Sequence, residues 1–398
     1  MPALRIVVDS YFDGSVHHPH GPFTVTVDDG RITDVCRGEA SCTGMPVQRA
    51  RFLMPGLVEA HCHLFLDGGE RDPARRSLAL QAPHDQMLAV GRQSVQQSLA
   101  AGVTLVRDAG DIHGINLLLR AEQHAAQALP TVLCAGRAIR NARRYGSFMA
   151  QELTDQTSPR QLVSDLAADA DQIKILMTGI IDFEAGAVQG APQFTQEQAT
   201  QIVSAARKCG LRTFAHCSGE AGIDMALTAG VDSIEHGFFI TREQLQFMAD
   251  RAVTWVPTLS PVHFQWSHPE IVGWSAQAIG NLERILDDHR RQIDHAYAIG
   301  VPMLVGSDAG SMGVPHGSGC VDELILMAAT GVALDKLLHS ATTLPRRLWG
   351  CLPADIAPGR SAEIVLFDQS PFDDPGALRR PVAVVRGGHL SQPEPALS

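Results

Sequence analysis

The 398-residue sequence has no basic patch, no paired cysteine spacing, no internal repeat and no apolar run approaching the ~18 residues that a membrane span requires. Each absence closes off a class of protein. With a net charge of -11 and 19% charged residues, the chain lacks the electrostatic footprint of a nucleic-acid binder; the arginine-rich run from Arg140 to Arg144 is short and isolated. Eight scattered cysteines read as reduced thiols rather than as a disulfide framework. The first residues, MPALRIVVDSYFDG, show no charged leader before an apolar segment, so neither export nor membrane association is expected, and a cytoplasmic location follows by default. The one compositional cluster, HHPH at His17 to His20, is expected to be a solvated turn.

What is present is apolar material for a large core, 45% of the residues. The chain exceeds the usual single core of roughly 100 to 200 residues, so one large barrel or two domains is expected. Residues 4 to 54 read as short strands and turns, with Phe23, Val25 and Val27 alternating before the turn at Asp28-Asp29-Gly30. The stretches AEIVLFD and PVAVVRGG near the other end repeat that style. Residues 1–54 and 356–398 are therefore expected to pair into one β-sandwich domain.

Between them, short apolar runs alternate with helical stretches, the pattern of βα units. Eight candidate strands occur: FLMPGLVEAH, VTLVRDAG, TVLCAG, QIKILMTG, RTFAHC, SIEHG, TWVPTLS and PMLVGSDAG. The segment TQEQATQIVSAARKCG begins at Thr195 and ends at Gly210, as capping preferences require of a helix. Residues 55–355 are thus expected to form a (β/α)8 barrel, making the whole chain α/β in class. After TWVPTLSP, a loop and one long helix are expected before the last strand.

Catalytic groups of such barrels sit at the C-terminal ends of the strands. Here the first strand ends in His61 and His63, the fourth carries Lys174, the fifth ends in His216, the sixth in His236 and the eighth in Asp308. The two-residue spacing of His61 and His63 aims both imidazoles to one side of an extended strand; Cys62 and Cys217 beside these histidines then face away as packing residues. Taken singly, each has an ordinary alternative: a hydrogen-bonded strand-end histidine, or a turn or capping aspartate. Their joint placement favours a metal site, because imidazole nitrogen and carboxylate oxygen suit borderline ions such as zinc. Lys174 stands out, since an ammonium in an apolar strand is costly unless paired or neutralised.

PGLVEAHCH, IKILMTG, FAHC, SIEHG and GSDAG, in that order and flanked by a terminal β domain, resemble the amidohydrolase superfamily over nearly the whole chain. The resemblance implies two divalent metal ions, with zinc preferred, and a carbamate formed on Lys174 from CO2 that bridges them. It places His61, His63 and Asp308 on one ion, and His216 and His236 on the other. A metal-bridging hydroxide would attack a carbonyl, with Asp308 as general base and then general acid. Relatives that deaminate rings usually lack the lysine and carry glutamate three residues after the fifth-strand histidine, where this chain has Gly219.

Within the superfamily the chain is similar to the prolidase-like branch, related to Xaa-Pro dipeptidases and imidazolonepropionase. The shared stretches are APQFTQEQ, VDSIEHG, VPTLSP and SDAGSMGVPHGSG. The implied reaction is hydrolysis of an amide-type C–N bond in a dipeptide, N-acyl amino acid or cyclic amide, the substrate being a small molecule that carries a carboxylate. Two departures concern that carboxylate: the third loop reads GRAIRNARRYGSFMAQEL without a Gly-Gly-His motif, and Ser218 stands where Tyr or His is common. Arginines 137, 140, 143 and 144 could compensate, since guanidinium grips carboxylate bidentately; Arg137 and Tyr145 are the chosen substrate contacts, with His263 a third. Lactone or organophosphate hydrolysis, a mononuclear deaminase and a catalytically dead binding barrel remain the alternatives. No nucleic-acid or membrane partner is expected, and a homo-oligomer is compatible with the sequence.

Overall fold

The apolar run Phe52 to His61, one strand by its pattern, divides at Gly56 into two strands of different domains. In the computed structural model, which describes residues 3–39, 44–126 and 128–392, strand Val47–Pro55 belongs to a terminal sheet and Leu57–Cys62 to the barrel. Glycine is needed at the division: a Cβ on Gly56 would meet Thr104 Oγ1 at 2.2 Å.

Both chain ends enter the terminal sheet, an eight-stranded sheet in which Val47–Pro55 pairs parallel with Leu4–Phe12 and antiparallel with Ile364–Phe367. The period-two alternation divides its side chains between two cores. Ile6, Val8, Val25, Val27, Leu53, Ile364 and Leu366 form a core within the β domain, while Phe52, Met54 and Phe367 join the barrel core. The His17–His20 cluster is not simply a solvated turn. His17 and His18 form a two-residue strand on Tyr11 and Phe12, held by stacking of His17 on Phe372 and by His18 Nε2 at 2.8 Å from Asp13.

The barrel strands are Leu57–Cys62, Val103–Asp108, Thr131–Cys134 continued by Ala138–Asn141, Gln172–Leu176, Arg212–Cys217, Ser233–His236 and Thr254–Val256, paired in parallel. The eighth segment closes the ring without a regular ladder. Leu304 N donates to Trp255 O on one side, and Ala60 N to Val305 O and Asp308 N to His61 O on the other. Pro302 lacks a donor there, and Gly306 lies so close to its neighbours that a Cβ would stand 2.9 Å from the His61 nitrogen.

Helix Gln196–Lys208 starts on a capping box between Thr195 and Gln198, and left-handed Gly210 follows its end. After the seventh strand the chain differs from the expected loop and helix. Helices Leu259–Ser267 and Pro269–Val272 precede the long helix Ala276–Ile299, so the insertion is helical from its first residue. Among the described residues no helix is long and apolar enough to cross a membrane, and Cys62 and Cys217 are buried free thiols.

Candidate functional site

The ends of the first, fourth, fifth, sixth and eighth barrel strands bring His61, His63, Lys174, His216, His236 and Asp308 to the floor of one cavity of about 290 Å³. All six predicted groups line it. His61 Nε2 and His63 Nε2 lie 3.6 and 3.5 Å from Asp308 Oδ1, and Lys174 Nζ lies 3.4 Å from His61 Nε2. Ring centroids of His216 and His236 are 4.6 Å apart, and those of His61 and His236 5.0 Å. His236 and Asp308 have left-handed backbones, φ 67° and 56°. That conformation, which His and Asp tolerate better than most residues, lets each depart from strand alternation as its strand ends.

Each histidine commits one ring nitrogen to the protein. His61 Nδ1 is 2.6 Å from Glu235 Oε2, His63 Nδ1 3.3 Å from Gly110 O, His216 Nε2 3.3 Å from Gly179 O, and His236 Nδ1 2.7 Å from Thr258 Oγ1. A ring nitrogen donating to such an acceptor leaves the other as a lone-pair ligand, the arrangement usual around metal-bound imidazole. Burial pushes His63 and His216 down to about 3, and His61 and His236 well below the usual range, so all four are neutral.

Beneath the histidines lies a layer that strand-end position does not reveal. Glu235 is fully buried and is held by both contacts from Arg107 Nη2, at 2.9 Å, and by Ser233 Oγ at 2.6 Å. Arg107 also donates to Ala60 O and Gln172 Oε1 and stacks on Phe214. The signal was available in SIEHG, where a carboxylate in an apolar strand raises the same desolvation problem as Lys174.

The donor set fits metal ions. His61, His63 and Asp308 offer ligand atoms within 4.8 Å of one another, and neutral imidazoles with a carboxylate are the donor types that a borderline divalent ion takes. Lys174 is 1% exposed, and burial lowers its pKa to about 8. Addition to CO2 requires the neutral amine, which this shift makes more abundant than in an ordinary lysine. Burial likewise raises Asp308 to about 7.

The cavity walls are largely apolar: Leu66, Phe148, Met149, Ile180, Ile181, Phe183, Phe238, Val262 and Met312 contribute. Of the three expected substrate contacts, Tyr145 lines the cavity, its ring 5.4 Å from that of His216. Arg137 is exposed, donates to Gln151 Oε1, and lies outside the lining, as does His263. The other third-loop arginines are absent from the lining too: Arg140 pairs with Glu152, Arg144 donates to Ala191 O, and Arg143 does not reach the wall. The guanidinium that does reach the wall is Arg76, from helix Pro73–Ala79 after the first strand. Nothing in the spacing of ERDPARR singled it out.

The family model described as "Amidohydrolase family" matches residues 52–391. An uncharacterized protein of Mycobacterium tuberculosis is 27% identical over 348 residues, 86% of each chain. A solved Xaa-Pro dipeptidase with methionine bound in its active site superposes with a TM-score of 0.83 at 25% identity, over 98% of this chain and 100% of that one. Ochratoxinase of Aspergillus niger has the same fold, with a TM-score of 0.81 at 18% identity over 100% and 97% of the two chains.

Proposed function

The chain belongs to the amidohydrolase family and is a hydrolase of carbon–nitrogen bonds, and from that premise we propose a binuclear metal-dependent amidase acting on dipeptides, N-acyl amino acids or cyclic amides. His61, His63 and Asp308 would hold one divalent ion and His216 and His236 the other, with a carbamate on Lys174 shared between them and zinc as the preferred metal. When bound, the ions supply Lewis acidity that polarises a carbonyl and lowers the pKa of water.

The chain's own residues do the rest. Asp308 accepts a proton from water and passes it to the departing amine, while Ser311 Oγ, 3.0 Å from its Oδ2, keeps the carboxylate oriented. Glu235 fixes the tautomer and tilt of His61. Tyr145, Phe148 and Phe183 exclude water from the reacting bond.

The observation that carries this reading is the convergence of His61, His63 and Asp308 beside a buried, acceptor-poor Lys174 at one end of a barrel. The test is a screen of zinc-loaded protein against N-acyl amino acids, dipeptides, cyclic amides and lactones, following amine release. Turnover of amides with one amine released per bond supports it. Turnover confined to lactones, or none across the panel, contradicts it.

A further inference from the structure

Hydrolysis of an acylated amino acid needs a counter-charge for the carboxylate, because a carboxylate entering a largely apolar cavity loses its hydration. Among the described residues two Lys or Arg side chains line this cavity, Lys174 and Arg76. Lys174 is committed to the floor. Arg76 is held in place by backbone carbonyls: Nη1 donates to Asp67 O at 2.7 Å and Glu70 O at 3.1 Å, and Nη2 donates to Gly310 O at 2.6 Å. Three of its five N–H groups are thereby used. Nε–H and one Nη2–H have no acceptor among the described residues.

Other buried guanidiniums differ. Arg107 meets Glu235, and Arg346 and Arg386 meet Glu363. Arg76, only partly exposed, makes no direct ion pair among the described residues; the carboxylates of Asp67, Glu70 and Asp308 act on it only at longer range and leave its spare donors unbonded. It is therefore a fixed cation with spare donors on a cavity wall, and its anchor at Gly310 lies two residues beyond Asp308.

We infer that Arg76 is the specificity residue that receives the substrate's carboxylate, on the leaving-amine half of the molecule; this rests on the amidase reading above. The placement matches the chemistry. Hydrolysis breaks the C–N bond, water oxygen joins the acyl carbon, and the amine leaves with the proton delivered by Asp308. An α-carboxylate sits one carbon from that nitrogen, so the group beside the proton donor is the one Arg76 can hold. Preorganisation by three carbonyls reduces the ordering cost of binding.

The test uses the zinc-loaded 398-residue chain. Calorimetry compares L-leucine with L-leucinamide, the leaving half with and without its carboxylate, and needs no turnover. The wild type is expected to prefer leucine by about 10- to 100-fold, the range of hydrogen bonds to charged groups. Arg76→Ala should collapse that ratio towards one, and Arg76→Lys should keep part of it, having charge without the fork. Arg75→Ala, an exposed neighbour outside the cavity lining, should keep the wild-type ratio. The ratio of kcat/KM for N-acetyl-L-leucine over its carboxamide should follow the same order. An unchanged ratio in Arg76→Ala, or an equal loss in Arg75→Ala, overturns the assignment. If no amide of the panel is cleaved while the binding ratio still depends on Arg76, the amidase reading fails and the anion site stands.

Discussion

The floor and the rim of the cavity hold their polar groups in opposite ways. On the floor, Glu235, Arg107, His61 and Ser233 form a closed network in which each buried polar group has a partner, and the network sets the direction of His61. On the rim, loops supply mostly apolar side chains, and the partly buried Arg76 keeps two donors unused. The difference separates tasks. A floor with little freedom can place charge-bearing groups to within a fraction of an ångström, which chemistry requires. A rim of loops can differ in shape without disturbing that geometry, and so can set which molecule reaches the floor.

This division can be broken at several depths. The largest effect is expected at the reacting atoms: Asp308→Asn should retain most metal yet lower kcat by at least about 100-fold, the low end for general acid-base catalysis. Near-normal turnover would remove Asp308 from the mechanism. One layer down, Glu235→Gln should weaken metal retention by about 10- to 100-fold, as losses of partners to ligating histidines do, measured by chelator competition. Unchanged retention would make Glu235 a packing residue only.

On the rim the effect should move from kcat to KM. Phe183 lines the cavity and meets Trp274 edge-on at 5.7 Å. Phe183→Ala should raise KM for substrates with a bulky apolar group by about five- to tenfold, a fraction of a phenyl's burial energy, with a smaller change in kcat. A loss mainly in kcat would show that the rim also shapes the floor.

The smallest effect concerns the support behind the rim. His289 stacks on Phe238 at 4.0 Å and donates Nε2–H to Pro257 O, and burial lowers its pKa from 6.5 to about 4. Between those values the unfolded chain binds more protons than the folded one, so this residue's contribution to stability is lost as pH falls through that window. His289→Gln should therefore show a shallower fall of Tm between pH 7 and 4 than the wild type. An identical slope would place the acid sensitivity elsewhere.

The same contrast governs what was legible beforehand. Strand ends are set by local periodicity, so the spacing of His61 and His63 and the order of the later ligand-type residues pointed to one face of a barrel, where all six lie. Lys174 was conspicuous because an amine in QIKIL has no cheap local solution. Rim residues follow tertiary contacts that no period encodes. Arg140 is turned away by Glu152, Arg144 by Ala191 O, and Arg137 by Gln151, whereas Arg76 is turned inward by a carbonyl at Gly310, more than two hundred residues away in sequence. The strand pattern was also blind to close approach: the neighbouring Thr104 explains why a glycine stands where the run divides.

One measurement tests directly whether the floor is a two-ion centre completed by a modified lysine. Native mass spectrometry of protein grown with zinc and bicarbonate, paired with metal analysis, should find about two divalent ions per chain and the added mass of one carboxyl group, lost together when Lys174 is replaced by methionine. Active protein without metal, or one ion beside an unmodified Lys174, would contradict it.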